Sequence, residues 1–292
     1  DVVKQLVEYG RSLEEPNNKK FRLTLTTNGV LLNDENIKWL NDNNISMVLS
    51  LDGRKEVHDY MRPDVGGHGT YDKVVKNFKK LVDSRDGNNY YLRGTFTNRN
   101  MDFSKDVLSM ADEGFDILSV EPVVLKDSLY GFTKEDLPKI FAEYDKLTEI
   151  YLKRKKEGKG FFFFHFNIDL EHGPCVAKRL SGCGAGHEYY AVAADGNLYP
   201  CHQFAGRENY MLGNVFEGVK NKELPKEFRK THVLSKEKCR DCWAKFFCSG
   251  GCHANADLFH GNIHEPYELG CELQKKRCEC AIVVKTAEKF GL

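Results

Sequence analysis

The chain has 292 residues, and its 43 Lys plus Arg balance 43 Asp plus Glu, so charge makes no case for nucleic acid or a membrane surface as partner. No apolar run reaches the roughly 18 residues of a spanning helix, and no charged-then-apolar secretory signal opens the chain. With ten cysteines at close spacings, this predicts a cytoplasmic protein whose thiols serve metal rather than disulfides.

The length predicts two domains. A helix is expected over 2–13, with no strand before it. Residues 21–28 (FRLTLTTN) read as a strand, and 33–44 as a helix capped by Asn33 with Ile37, Trp39 and Leu40 on its apolar side. Residues 46–52 (SMVLSLD) read as a nearly continuous apolar strand. Then come a helix over 70–84 with Val74, Val75, Phe78 and Leu81 on one face, a strand over 90–97, a helix over 104–113 and a strand over 117–124. Strands alternating with helices predict an α/β domain with a parallel sheet and right-handed crossovers. Ligands in such sheets sit at the carboxyl ends of the strands, which singles out Thr26, Asn28, Ser50, Asp52 and Arg93. Arg93, a lone cation on an inner strand, asks for an anionic partner. A sheet of four strands has an open edge, so a preceding segment of the natural protein is expected.

A longer helix is expected over 134–157, with a domain boundary at Gly158–Gly160. Beyond it, Phe161–Phe164 reads as a core strand, and Tyr189–Tyr199 as a hairpin turning at Asp195-Gly196. Residues 268–290 read as a terminal helix. The expected division is 1–132, a linking helix over 133–160, and 161–292.

Seven cysteines in the last third carry the chemistry: Cys183, Cys201, Cys239, Cys242, Cys248, Cys252 and Cys271. Cys239-x2-Cys242 is a chelating turn. Cys248 and Cys252 are expected on one side of a helix or loop, with Gly250 and Gly251 between them allowing close approach to a bulky group. One CxxC knuckle where a zinc ribbon has two, followed by x5 and x3 spacings, suits an iron–sulfur cubane; zinc and buried free thiols are the alternatives left by spacing alone. Cys175, Cys278 and Cys280 fall outside the pattern and read as free cysteines.

This cysteine order resembles the SPASM extension of radical S-adenosylmethionine enzymes. The first half resembles the same family through Thr27-Asn28-Gly29, Ser50-Leu51-Asp52-Gly53 with Glu56, His58-Asp59 and Arg62, then Gly69-Thr70-Tyr71-Asp72 and Glu121-Pro122. The fold implied is part of a radical-enzyme (β/α)6 barrel followed by an α+β SPASM domain. The family's CxxxCxxC triad and GGEP segment have no counterpart here, so a third [4Fe–4S] cluster, the one that cleaves S-adenosylmethionine, is expected on the preceding segment.

The resemblance implies two auxiliary [4Fe–4S] clusters. Cys239, Cys242, Cys248 and Cys271 would fill the second. Cys183, Cys201 and Cys252 would hold the first with one iron open, because no cysteine stands in Gly184–Tyr189, where sulfatase-maturing relatives carry one. His187 and His202 are the nearby alternatives for that iron. An open iron resembles the maturases that form thioethers in six-cysteine (SCIFF) peptides, of the sactipeptide type. The implied partners are a cysteine-rich precursor peptide with a leader and a flavodoxin- or ferredoxin-type electron donor. Two other functions stay open: oxidation of a peptide Ser or Cys as in anaerobic sulfatase maturation, and a zinc-stabilised peptide-binding module.

Overall fold

The computed structural model describes residues 1–127 and 129–291, which form two compact units, 1–123 with 149–164 and 124–127, 129–148 with 165–291. The first opens with α1 (Val2–Ser12) and the short α2 (Glu14–Asn17). There follow β1 (Thr24–Thr27), α3 (Asp34–Asp42), β2 (Ser46–Ser50), α4 (Lys55–Met61), α5 (Tyr71–Asp83), β3 (Tyr90–Phe96), α6 (Ser104–Asp112) and β4 (Ile117–Pro122). The helix α7 (Leu137–Lys156) begins in the second unit and ends in the first, which β5 (Phe162–Phe163) completes.

The five strands pair in parallel in the order β1-β2-β3-β4-β5. Local signals place the helices as expected. Asn33 caps α3, its side chain accepting the Asn36 amide at 2.8 Å. Apolar residues at helical spacing give α5 its buried Val74, Phe78 and Leu81, and α6 its buried Val107 and Met110. On the strands, Leu49, Leu92 and Leu118 are wholly buried. Each such side chain contributes about 1.5–3 kcal/mol by leaving water.

The other face of the sheet is polar. Ser50 stands opposite Arg93, and Arg93 opposite Ser119. With a side-chain period of two, this register puts Thr26, Ser50, Arg93, Thr95 and Glu121 on one face.

Two expectations are corrected here. The sequence pattern puts Phe161–Phe164 beyond the domain boundary, but Phe162 and Phe163 pair with Ile117 and Leu118, so this strand closes the first sheet. Only those two residues are extended; Phe164 enters a 3-10 turn. The alternation survives, with Phe161 and Phe163 buried and Phe162 and Phe164 exposed. The linking segment likewise splits, its start packing in the second unit and its end in the first.

The second unit holds a small antiparallel sheet, β6 (Ala191–Val192), β7 (Asn197–Tyr199), β8 (Gly213–Asn214) and β9 (Gly218–Val219), in that order. The expected hairpin is β6–β7, turning at Gly196 with φ +84°. Around it run α8 (Glu223–Lys230), α9 (Glu237–Arg240), α10 (Lys245–Cys248), α11 (His253–His260) and α12 (Glu268–Phe290). Its core is a knot of rings: Phe204 lies 4.2 Å from Tyr210 and 5.6 Å from Phe228, centroid to centroid. Within the same unit α12 is tied to the start of α7, where Arg277 Nε donates to the Tyr144 hydroxyl at 2.9 Å. No described helix is long and apolar enough to cross a membrane.

Candidate metal centres and the polar sheet face

Four cysteines of the second unit line one cavity of about 430 Å³: Cys239, Cys242, Cys248 and Cys271. Short backbone bonds set them there. The Cys242 amide donates to the Cys239 carbonyl at 3.2 Å, which closes the CxxC turn. Cys248 ends α10, and Cys271 sits in the first turn of α12. Burial first, then the neighbouring Cys248 and Cys239, pushes the Cys271 thiol up to about 12. Cys239 is raised by burial, then by Cys248 and Cys242. Thiols that hinder each other's ionisation in a half-buried pocket form a strong donor set for a cationic centre.

The other three cysteines form a second group. Burial raises the Cys201 thiol foremost, and the charges of Cys252 and Cys183 raise it further. The Tyr189 hydroxyl donates to Cys183 Sγ at 3.9 Å. Burial and then Cys183, Cys201 and Cys252 hold that phenol in its neutral form. Four cysteines thus share one cavity, and the other three influence one another's charge.

Of the two forms expected for the Cys248–Cys252 spacing, helix or loop, the structure shows a turn. Ser249, Gly250 and Gly251 are all left-handed, with φ of +63°, +84° and +75°. Three such residues end α10 and turn the chain, so the four-residue spacing does not act as a helical pair. Glycine at two of the three makes that turn cheap.

The bystander residues are hydrogen-bonded or exposed. His187 is nearly buried, with its ring nitrogens 3.3 Å from the Ala185 carbonyl and 3.4 Å from the Ser181 hydroxyl. His202 and Cys175 are exposed. Cys278 accepts from Gln274 at 3.6 Å, and Cys280 points at Asp145 at 4.0 Å. Among the described residues no three His, Cys, Asp or Glu side chains draw together closely enough for a single metal ion.

In the first unit the five candidate strand-end residues divide. Asp52 is buried and fully used: Arg62 donates to both its oxygens, at 2.6 and 3.0 Å, and the Thr95 amide adds 3.0 Å. Asn28 accepts the Val30 amide at 3.2 Å in the turn after β1. Thr26, Ser50 and Arg93 have side-chain polar groups without a hydrogen-bond partner among the described residues. The His58-Asp59 pair holds this strand end in place. His58 receives the Asp52 amide at 3.5 Å, and Asp59 accepts the Tyr71 amide at 2.8 Å at the start of α5. Gly53 has φ +116°, and a Cβ there would meet Asp106 Cβ at 2.2 Å, so only glycine lets the chain leave β2 along this path.

Two residues were missed by sequence reasoning. Tyr189 looks like one more hairpin aromatic, and Lys236 like one more surface lysine; only folding brings either to the cysteines.

Residues 183–243 match the SPASM family model, an iron-sulfur cluster-binding domain. The chain is also similar, at 24% identity over 88% of its length and 70% of the relative's, to a cysteine-type anaerobic sulfatase-maturating enzyme of Clostridium novyi. It is 24% identical to a serine-type anaerobic sulfatase-maturating enzyme of Bacteroides thetaiotaomicron, over 79% of this chain and 60% of that one. An uncharacterized protein of Archaeoglobus fulgidus is 28% identical over 88% of this chain and 62% of its own. Among solved structures, hexahistidine-tagged anSMEcpe with bound AdoMet superimposes with a TM-score of 0.77 at 21% identity, over 98% of this chain and 77% of that one. Native anSMEcpe with bound AdoMet and the Kp18Cys peptide gives 0.76 at 23%, over 99% and 81%. The α/β fold with its parallel sheet and SPASM region is therefore shared with these proteins, and by this kinship the protein is an enzyme.

Proposed function

We propose that the protein is a radical S-adenosylmethionine maturase that joins a cysteine sulfur to carbon in a ribosomally made, SCIFF-type peptide. The clusters and S-adenosylmethionine supply electrons and a hydrogen-abstracting radical; the protein supplies placement. Cys239, Cys242, Cys248 and Cys271 hold one [4Fe–4S] cluster completely. Cys183, Cys201 and Cys252 hold another, leaving its fourth ligand to a cysteine of the peptide. Thiolate ligation would lower that sulfur's pKa and fix it beside the carbon it joins. Thr26, Ser50 and Arg93 offer hydroxyls and a cation to S-adenosylmethionine, with Arg93 for its carboxylate. Asp52 and Asn28, expected as direct contacts, support this face by holding the strand ends.

The observation that carries the reading is the group of three: Cys183, Cys201 and Cys252 lie near enough to act on one another's charge, with the Tyr189 hydroxyl against Cys183. A second reading, oxidation of a peptide Cys or Ser to an aldehyde, is favoured by the similarity to sulfatase-maturating enzymes. A third, zinc in a peptide-binding module, is separated from both by metal and sulfide analysis.

The deciding experiment uses the full-length protein, reconstituted anaerobically and given a cysteine-rich peptide with its leader. The thioether reading expects loss of two hydrogens per modification, with a thiol that no longer alkylates. An aldehyde captured by a hydrazide would replace it with the oxidation reading, and stoichiometric zinc with negligible sulfide would replace both.

A further inference from the structure

Lys236 precedes α9 and is only 3% exposed. Its Nζ donates to the Gly250 carbonyl at 2.9 Å. Gly250 belongs to the left-handed turn that sends Cys248 to the group of four and Cys252 to the group of three. The Lys236 carbonyl also accepts the Cys239 amide at 3.0 Å, so the residue is fixed at both ends. No carboxylate pairs with Lys236 among the described residues. The carbonyl that its ammonium holds lies two residues from Cys248 of one group and two from Cys252 of the other.

A buried ammonium facing a single carbonyl is costly unless negative charge lies close by.

We infer that the Lys236 ammonium is the shared counter-charge of the two cysteine groups, a positioning residue that favours the reduced form of each cluster. This rests on the cluster reading above. Reduction adds one negative charge to an already anionic centre. A fixed cation nearby in a water-poor setting stabilises that added charge and raises the midpoint potential. Sitting at the turn that separates Cys248 from Cys252, one lysine serves both centres.

The test compares the reconstituted full-length wild type with Lys236→Gln and Lys236→Arg. Iron and sulfide are measured, then both auxiliary clusters are titrated by EPR-monitored potentiometry. Lys236→Gln is expected to load clusters whose midpoints both fall, the reduced-to-oxidised ratio at the wild-type midpoint dropping about tenfold, or about 59 mV for a one-electron couple. Lys236→Arg, which keeps the charge, is expected to stay near the wild type. Unchanged midpoints in the Gln variant, a shift in one cluster only, or an equal shift in the Arg variant would overturn the inference. If the Gln variant cannot retain iron and sulfide, retention by Arg supports the charge, and loss in both variants overturns it. A wild type free of iron and sulfide would refute the cluster reading beneath it.

Discussion

The two units are organised by different physics. The first is a sheet of up to seven-residue strands with helices whose apolar faces follow the helical period, and its interior closes with leucines and aromatics exposed by 0–1%. The second has strands of two or three residues and helices as short as four. Elements that short cannot hold themselves, since a helix below about 12 residues is marginal in water. The second unit has one ring-lined core and a long terminal helix, and between them a stretch of turns whose side chains of consequence are thiols. Burial of apolar surface thus specifies the first unit, while the proposed clusters would supply much of what specifies the second.

The largest expected effect tests that contrast directly. Cys242→Ala removes one donor of the four-cysteine set, and binding free energy at a structural metal site is folding free energy, on the order of 10 kcal/mol for the strongest sites. The second unit should melt and become protease-sensitive while the first keeps its protection. Thermal melts with limited proteolysis read this out; an unchanged melting temperature with lost iron would show the cluster dispensable to the fold.

The mirror experiment is Phe78→Ala, which empties a wholly buried site on α5. A cost of about 3–5 kcal/mol is expected, with iron and sulfide content unchanged. Equal destabilisation of cluster binding would mean the units are not specified separately.

A smaller effect comes from pH. Burial, the leading cause, holds His58 below its usual pKa, outweighing the attraction of Asp52. The unfolded chain therefore binds this proton more readily than the folded one. The His58 contribution is present above about pH 6.5 and is lost as pH falls below it. Urea midpoints of the wild type should fall between neutral and mildly acidic pH, and His58→Gln should show a shallower fall. An identical slope would remove His58 as the cause.

The smallest effect on stability is expected at Arg93, an exposed side chain without a partner among the described residues, where Arg93→Ala should change stability by no more than about 0.5 kcal/mol. The same variant should weaken S-adenosylmethionine binding in the full-length protein, measured by calorimetry. Unaltered affinity would withdraw Arg93 from the site, and a large loss of stability would give it a structural role instead.

What the sequence determined by itself is whatever depends on local period and spacing. Alternating βα segments, the Asn33 cap, the Asp195-Gly196 turn and the terminal helix could be read because propensity and hydrophobic pattern act over a few residues. The seven cysteines could be picked out because their spacing is improbable in an ordinary core. Tertiary structure decided the rest. It made Phe162–Phe163 the fifth strand of the first sheet, since strand pairing depends on partners far along the chain. It assigned the oxygens of Asp52 to Arg62 and Thr95, leaving Thr26, Ser50 and Arg93 as the face's available polar groups. It also carried Tyr189 and Lys236 to the cysteines. A side chain's charge and burial are set by neighbours that only folding brings near, and no local pattern encodes them.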